Sequence, residues 1–204
     1  MSENYIKCID RFCAGEVNLT SEQLIMMTPF CMKSSKIVDI RARNYQDEFI
    51  PLMLYSHFDT VNSIYRMKHS LEPETGYDVI DVTKRQAIQI KRIYDNTFWR
   101  STTSIIEIEH IESYFKSITY GIVRKHLYTY TNTHIVAHIP IRLDSFNDIE
   151  VEKIINENTD ILSLLYKNGN TITVTASKPN SGTSTKIYKK KISSKDMIIK
   201  LIDA

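Results

Sequence analysis

Residues 171–192, TITVTASKPNSGTSTKIYKKKI, decide how the C-terminal half of this chain is read. Threonine, isoleucine and valine dominate TITVTAS, KPNSG supplies residues that favour tight turns, and TSTKIYKKKI resumes the alternation. The stretch therefore predicts two β-strands joined by a short turn. It is also the most basic part of the chain, since residues 177–195 hold six lysines and no acid. In a strand, Thr185, Ile187 and Lys189 share one face, and Lys186, Tyr188 and Lys190 share the other. Lysines meet phosphates and a tyrosine stacks on a base, so Lys186, Tyr188, Lys189, Lys190 and Lys191 are candidate nucleic-acid contacts. Two other readings stay open: lysines that guard an exposed strand edge against pairing, and a strand that docks on an acidic segment of the same chain.

That acidic segment, residues 148–157, lies just upstream inside a longer acidic stretch. Residues 144–160, DSFNDIEVEKIINENTD, carry six acids against one lysine. DIEVEKIINEN reads as one short helix and TDILSLLYKNGN as a second, with Thr159 as its cap and Gly169 as its stop. THIVAHIPIRL before them alternates as a strand. Within it, His134 and His138 fall on one face about two pleats apart, too far for the paired zinc ligands that the same spacing gives on a helix. Upstream again, Ile108, Ile111, Phe115, Ile118 and Ile122 form one stripe, and Ser104 with Glu107 makes a capping box, which predicts a long helix over 105–127. SSKDMIIKLIDA at the C-terminus reads as a closing helix capped by Ser194.

Helix, strand, helix, helix, strand, turn, strand over residues 104–192 resembles the winged helix-turn-helix domains. That resemblance implies a DNA-binding or scaffolding role with the second short helix in the major groove. Here the helical part is acidic, which a phosphate surface repels, so the lysine strand is the expected contact.

A second basic block, KRQAIQIKR at 84–92, carries four cations and no acid. Lys84, Arg85, Lys91 and Arg92 join the candidate phosphate contacts. The segment fits a helix through Ala87, Ile90 and Ile93 and also alternates as a strand; the helical reading is taken. The N-terminal third predicts a helix in ENYIKCIDRFC, with Ile6, Ile9 and Phe12 on one face. A second helix in LTSEQLIMMTPF is capped by Thr20 or Ser21 and ended by Pro29. SKIVDIRAR predicts a strand, and LMLYSHFDTVNSIYRMKHSL a helix with Leu54, Phe58, Val61 and Tyr65 in line. LEPETG marks the best internal boundary, which divides the chain into 1–75 and 76–204 unless 1–204 is one domain.

With 204 residues, 42% hydrophobic, and only five glycines and five prolines, the chain has the makings of a compact core. MSENYIKCIDRFC is not a secretory leader, and no apolar run reaches the length of a membrane span, so a soluble intracellular protein is expected. Cys8, Cys13 and Cys31 are read as buried thiols. HFD, with His57 and Asp59, resembles the metal-binding motif of the aminoacylase and carboxypeptidase class of zinc peptidases. No adjacent Glu-Glu pair follows to serve as general base, so the two residues are read as the polar side of a helix. No phosphate loop or nucleophile elbow occurs.

The expected protein is therefore α+β, with small antiparallel sheet elements and a winged-helix-like C-terminal part. It is non-catalytic, needs no cofactor or metal, and binds nucleic acid through 84–92 and 186–195. Its alternative role is that of a structural or assembly subunit, whose partners are proteins or further copies of itself. Richness in isoleucine, lysine and asparagine suggests an AT-rich, viral source.

Overall fold

The structure, a computed structural model, describes residues 2–31, 44–69, 77–92, 116, 119–124, 132–140, 147–162, 170–179, 185–192 and 197–203. The chain is α+β. Its helices are α1 (Ser2–Cys13), α2 (Ser21–Cys31), α3 (Ile50–Ser56), which a π-helical turn Tyr45–Phe49 precedes, and α4 (Asp148–Leu162). Residues 119–124 are helical as well. The strands are β1 (Leu19–Thr20), β2 (Ile64–Met67), β3 (Val79–Asp81), β4 (Gln86–Arg92), β5 (His134–Pro140), β6 (Thr171–Pro179), β7 (Thr185–Ile192) and β8 (Met197–Asp203).

All eight strands join one sheet whose spatial order is their order in the chain. β4, β5 and β6 run parallel, while every other neighbouring pair is antiparallel. The sheet is thus larger and more mixed than the small antiparallel elements that local sequence patterns suggest. The winged-helix order is not confirmed, because α4 is the crossover between two parallel strands and β5 lies inside the sheet.

The alternation of β5 and β6 builds two different interiors. In register, His134, Val136 and His138 stand beside Thr171, Thr173 and Thr175, and Tyr55 of α3 brings its ring to 5.2 Å from that of His134. The opposite face carries Ile135, Ala137, Ile172 and Val174, all without exposure. α3 packs against β4, β5 and β6, and α4 against β6 and β7. The apolar face is therefore the one that α4 covers, with Ile154, Ile155 and Ile161 buried on the helix. Thr119 donates to Asn158 and Lys116 pairs with Glu157 at 2.9 Å, so the helical segment at 119–124 lies beside α4 on that side.

A larger apolar core gathers under α1, α2 and α3, where Ile9, Phe12, Leu24, Phe49, Leu52 and Leu54 have no exposed surface. As its sequence predicts, α1 buries Ile9 and Phe12. It ends in a Schellman turn, with Glu16 N bonded to Arg11 O and Gly15 N to Phe12 O, both at 2.9 Å. Gly15 has φ +77°, and a Cβ there would lie 2.9 Å from the His69 backbone. Of the two caps proposed for α2 the structure uses Thr20, whose hydroxyl accepts from Gln23 N while the Gln23 side chain accepts from Thr20 N. Pro29 does not end α2, which runs on to Cys31. Cys13 and Cys31 are buried free thiols and Cys8 is half-buried. Burial pushes the Cys31 thiol up to about 11.

Four helical expectations are corrected. Residues 52–71 are not one helix: α3 stops at Ser56, and Asp59 accepts from the backbone N–H of Val61 and Ser63, which turns the chain into β2. Residues 86–92 form a strand, because Ile88 and Ile90 alternate with Gln89 between β3 and β5. Thr159 caps nothing; its hydroxyl donates to Ile155 O inside a continuous α4. The start of α4 is instead closed by a reciprocal pair between Asn147 and Glu150. The closing helix is strand β8, paired along its length with β7. In the expected helix 105–127, Ile108, Ile111, Phe115 and Ile118 lie outside the described residues, as do Ser104, Glu107, Gly169, Ser194, the strand at 35–43, and all of LEPETG. Among the described residues no helix is long and apolar enough to cross a membrane.

Candidate nucleic-acid interface

The first basic block is spread along β4 and the turn before it. Arg85 sits in the β3–β4 turn at φ +53° and is exposed. Lys84 beside it is partly exposed, but its ammonium turns to acids of its own chain. Its ammonium lies 2.8 Å from Asp59 and 3.3 Å from Asp81, two carboxylates that are almost fully buried. Asp59 also accepts from Ser21, from Tyr65 at 3.1 Å and from Ser63 N at 2.7 Å. Burial alone would raise the Asp59 carboxyl. The hydrogen bonds from Lys84, Ser21 and Ser63 outweigh it and hold the group below the ordinary carboxylate range. Asp59 is thus a saturated, permanently ionised anchor between the α3–β2 turn and the β3–β4 hairpin. His57, its neighbour in the HFD motif, meets Thr28 at 2.8 Å instead of turning toward Asp59.

Lys91 also faces acids of its own chain. Glu48, on the π-helical turn, and Asp78, just before β3, both feel its charge. Asp78 accepts from Ile90 N at 2.8 Å and from the Gln89 amide, and Glu48 accepts from Asn44 at 3.0 Å. Burial, with the Asp78 charge second, pushes the Glu48 carboxyl up to about 7 against the pull of Asn44 and Lys91. A carboxyl raised in the folded state contributes stability that is complete below its ordinary value near 4.5 and is lost as pH climbs through about 7. Glu48→Gln is therefore expected to add about 2 kcal/mol at pH 7.5 and to flatten the stability profile between pH 4.5 and 7. Urea unfolding across that range checks this, and a variant profile as steep as the wild type would refute it.

Arg92 ends β4 opposite His138. From there a single row crosses the sheet through register partners: Arg92, His138, Thr175, Lys189 and Lys200. Neighbouring rows carry Val136, Thr173, Lys191 and Ile198, and on the opposite pleat Ala137, Val174, Lys190 and Ile199. The row thus brings one member of the first block into line with the second block, three strands away at roughly 14 Å. Lys84 is at the other end of β4 and takes no part in it.

β7 itself is an interior strand, paired with β6 and β8 over its whole length. The edge-guard reading of its lysines therefore loses its premise. Tyr188 is in line with Ala176 and Leu201, and so falls on the opposite pleat from Lys189 and Lys191. Lys186 stands between Lys178 and Asp203. In the sequences of β6, β7 and β8, Asp203 is the single acid.

The histidines of β5 are engaged by threonines. His134 meets Thr171 at 2.7 Å through Nδ1 and Thr173 at 3.1 Å through Nε2, and His138 meets Thr175 at 3.1 Å. Both rings are nearly fully buried. Among the described residues no group of three or more histidine, cysteine, aspartate or glutamate side chains is arranged to hold a metal ion. Sequence reasoning missed Lys200, because MIIKLID carries no alternation and its pairing with β7 is visible only in the register. Comparison of this chain with protein-family models, curated proteins and solved structures gives no match.

Proposed function

We propose that this protein is a non-catalytic nucleic-acid-binding protein that takes phosphates on the β7–β8 part of its sheet. The observation that carries the reading is the pairing of Lys189 with Lys200 in a row that contains no acid. Like charges directly opposite each other on one face of a ladder oppose folding, by a few tenths of a kcal/mol to about 1 kcal/mol. A phosphate between them reverses the sign of that interaction. Arg92, in line with the same pair, extends the charge toward β4, and Arg85 adds an exposed cation at the far end. Lys84 and Lys91 contribute less than their sequence position suggests, because carboxylates of the chain already face them.

Replacing Lys186, Lys189, Lys190 and Lys191 together with Gln tests the reading. Each neutralised phosphate contributes about 0.9 to the slope of log affinity against log salt, so the slope is expected to flatten by up to roughly 3 to 4. Oligonucleotide titrations at several salt concentrations measure it. Absence of binding by the wild type, or an unchanged slope in the variant, would remove the proposal.

An assembly role is the second reading, and β8 favours it. Five of its seven residues, Met197, Ile198, Ile199, Leu201 and Ile202, are apolar, and among the described residues it pairs on one side only. An apolar strand with a free edge accepts a further strand. A stable oligomer in high salt with no nucleic-acid affinity, seen by light scattering, would support that role over the first.

A further inference from the structure

We infer that Glu48 makes the π-helical turn Tyr45–Phe49 a proton-operated switch: with its carboxyl neutral the turn stays closed toward Asp78 and β4, and with its carboxyl ionised the side chain leaves for water and the turn shifts with it. The switch belongs to the chain alone and does not depend on the nucleic-acid reading.

The turn has the geometry of an element with two arrangements. The Asn44 carbonyl accepts twice, from Glu48 N at 2.9 Å in the α register and from Phe49 N at 3.2 Å in the π register, and Ile50 N closes a second π bond on Tyr45 O. A π turn is an α-helical turn with one residue too many, a device frequent at functional sites. A small shift leaves the carbonyl to the α bond alone. Tyr45 and Phe49 are buried in the core and stacked at 5.5 Å, which anchors their part of the turn. Glu48 is only half-buried, so its carboxyl reaches water with a small movement. The turn packs against β4, α1 and α3, and α3 carries Tyr55 to the ring of His134, so a shift there is felt over the middle of the sheet.

Charge supplies the drive. Asp78 is the better supported of the two carboxyl groups, since Ile90 N at 2.8 Å and the Gln89 amide donate to it and Lys91 and Lys68 face it. Glu48 leans on the Asn44 side-chain amide at 3.0 Å, which also donates to Cys13 O at 3.2 Å. Asp78 therefore ionises first, and Glu48 has to ionise beside its charge. Asp47 of the same turn adds to that repulsion, and Lys91 of β4 opposes it. From α1 the Cys13 thiol faces Glu48, with Asp10 behind it, and α3 brings no charged side chain. Burial and the Asp78 charge together move the Glu48 carboxyl up to about 7. A group raised in the closed turn favours closure below its ordinary value near 4.5 and loses that effect as pH climbs through about 7.

Hydrogen exchange of the Glu48, Phe49 and Ile50 amides of the full chain, followed by NMR at pH 6 and pH 8 and scaled to unstructured-peptide rates, reads the opening. The open fraction is expected to rise about tenfold over that interval. It is expected to be insensitive to low urea, because a local shift exposes little surface. E48Q keeps the shape of the neutral acid and is expected to abolish the rise. No rise in the wild type, or an equal rise in E48Q, overturns the switch. So does exchange of the turn amides only together with those of β6 and with the same urea dependence, which would mean global unfolding and no local shift. A carbon-13 titration of the Glu48 carboxyl in the wild type needs no variant. A midpoint near 7 at which the Asn44 side-chain amide also moves supports the switch, and a midpoint in the ordinary carboxylate range overturns it.

Discussion

Asp59→Ala is expected to cost about 3–5 kcal/mol of stability, because several hydrogen bonds to one buried charged acceptor are lost together. The carboxylate is completely enclosed, and five donors converge on it: Lys84, Ser21, Tyr65 and the backbone N–H groups of Val61 and Ser63. Its loss leaves the hydroxyls of Ser21 and Tyr65, which are 2% and 0% exposed, with only the long contacts of Ser21 to Ser63 O at 3.4 Å and to Tyr65 at 3.5 Å. Each buried polar group left without a partner costs about 1–3 kcal/mol. Lys84 suffers less, because a third of its side chain reaches water and Asp81 remains 3.3 Å away. Asp59→Asn keeps the shape and loses the charge, so it is expected to fall between wild type and alanine. Urea unfolding at neutral pH measures the series, and a loss under about 1 kcal/mol for alanine would show that the network contributes little to the fold.

Phe12→Ala is expected to cost a similar 3–5 kcal/mol, here through a cavity. Phe12 has no exposed surface and meets Phe49 edge to face with ring centroids 5.9 Å apart. Phe49 in turn stacks on Tyr45 at 5.5 Å, so the ring from α1 fixes the π-helical turn that leads into α3. Met26→Ala on α2 is the control. That side chain is 61% exposed, and its truncation is expected to stay within about 0.5 kcal/mol. A Phe12→Ala loss no larger than that of the control would remove α1 from the core.

Where an element could be read locally, the sequence was a sound guide. Ile9 and Phe12 three apart, the Thr20 cap, and the alternation of THIVAHIP and TITVTAS each specify their element with residues close in the chain. The failures share a physical cause. QAIQIKR satisfies both the helical and the strand period, and only its pairing with β3 on one side and β5 on the other selects the strand. β8 is apolar on both pleats, and its identity as a strand comes from β7. The parallel pairing of β4 with β5 joins residues more than forty positions apart and leaves no local mark. Within the candidate site the lysine run was plain to see. The pairing of Lys84 with Asp59 and Asp81, and the place of Lys200 beside Lys189, both required contacts between distant segments.

Among the described residues the sheet follows the order in which the chain is made, from β1 to β8 with no strand inserted between earlier neighbours. During synthesis each new strand therefore meets an edge that the strand before it has just supplied, and no completed pair must reopen to admit a later one. A nascent chain halted after any of these strands exposes one unfinished edge, which the next strand of the series closes. Domains generally fold as units while the ribosome extends them at about 5–20 residues per second. For this chain the wait at the β4 edge is a long one, because the whole segment up to His134 must be translated before β5 can dock. During that interval of a few seconds the half-built sheet is open to pairing with another chain.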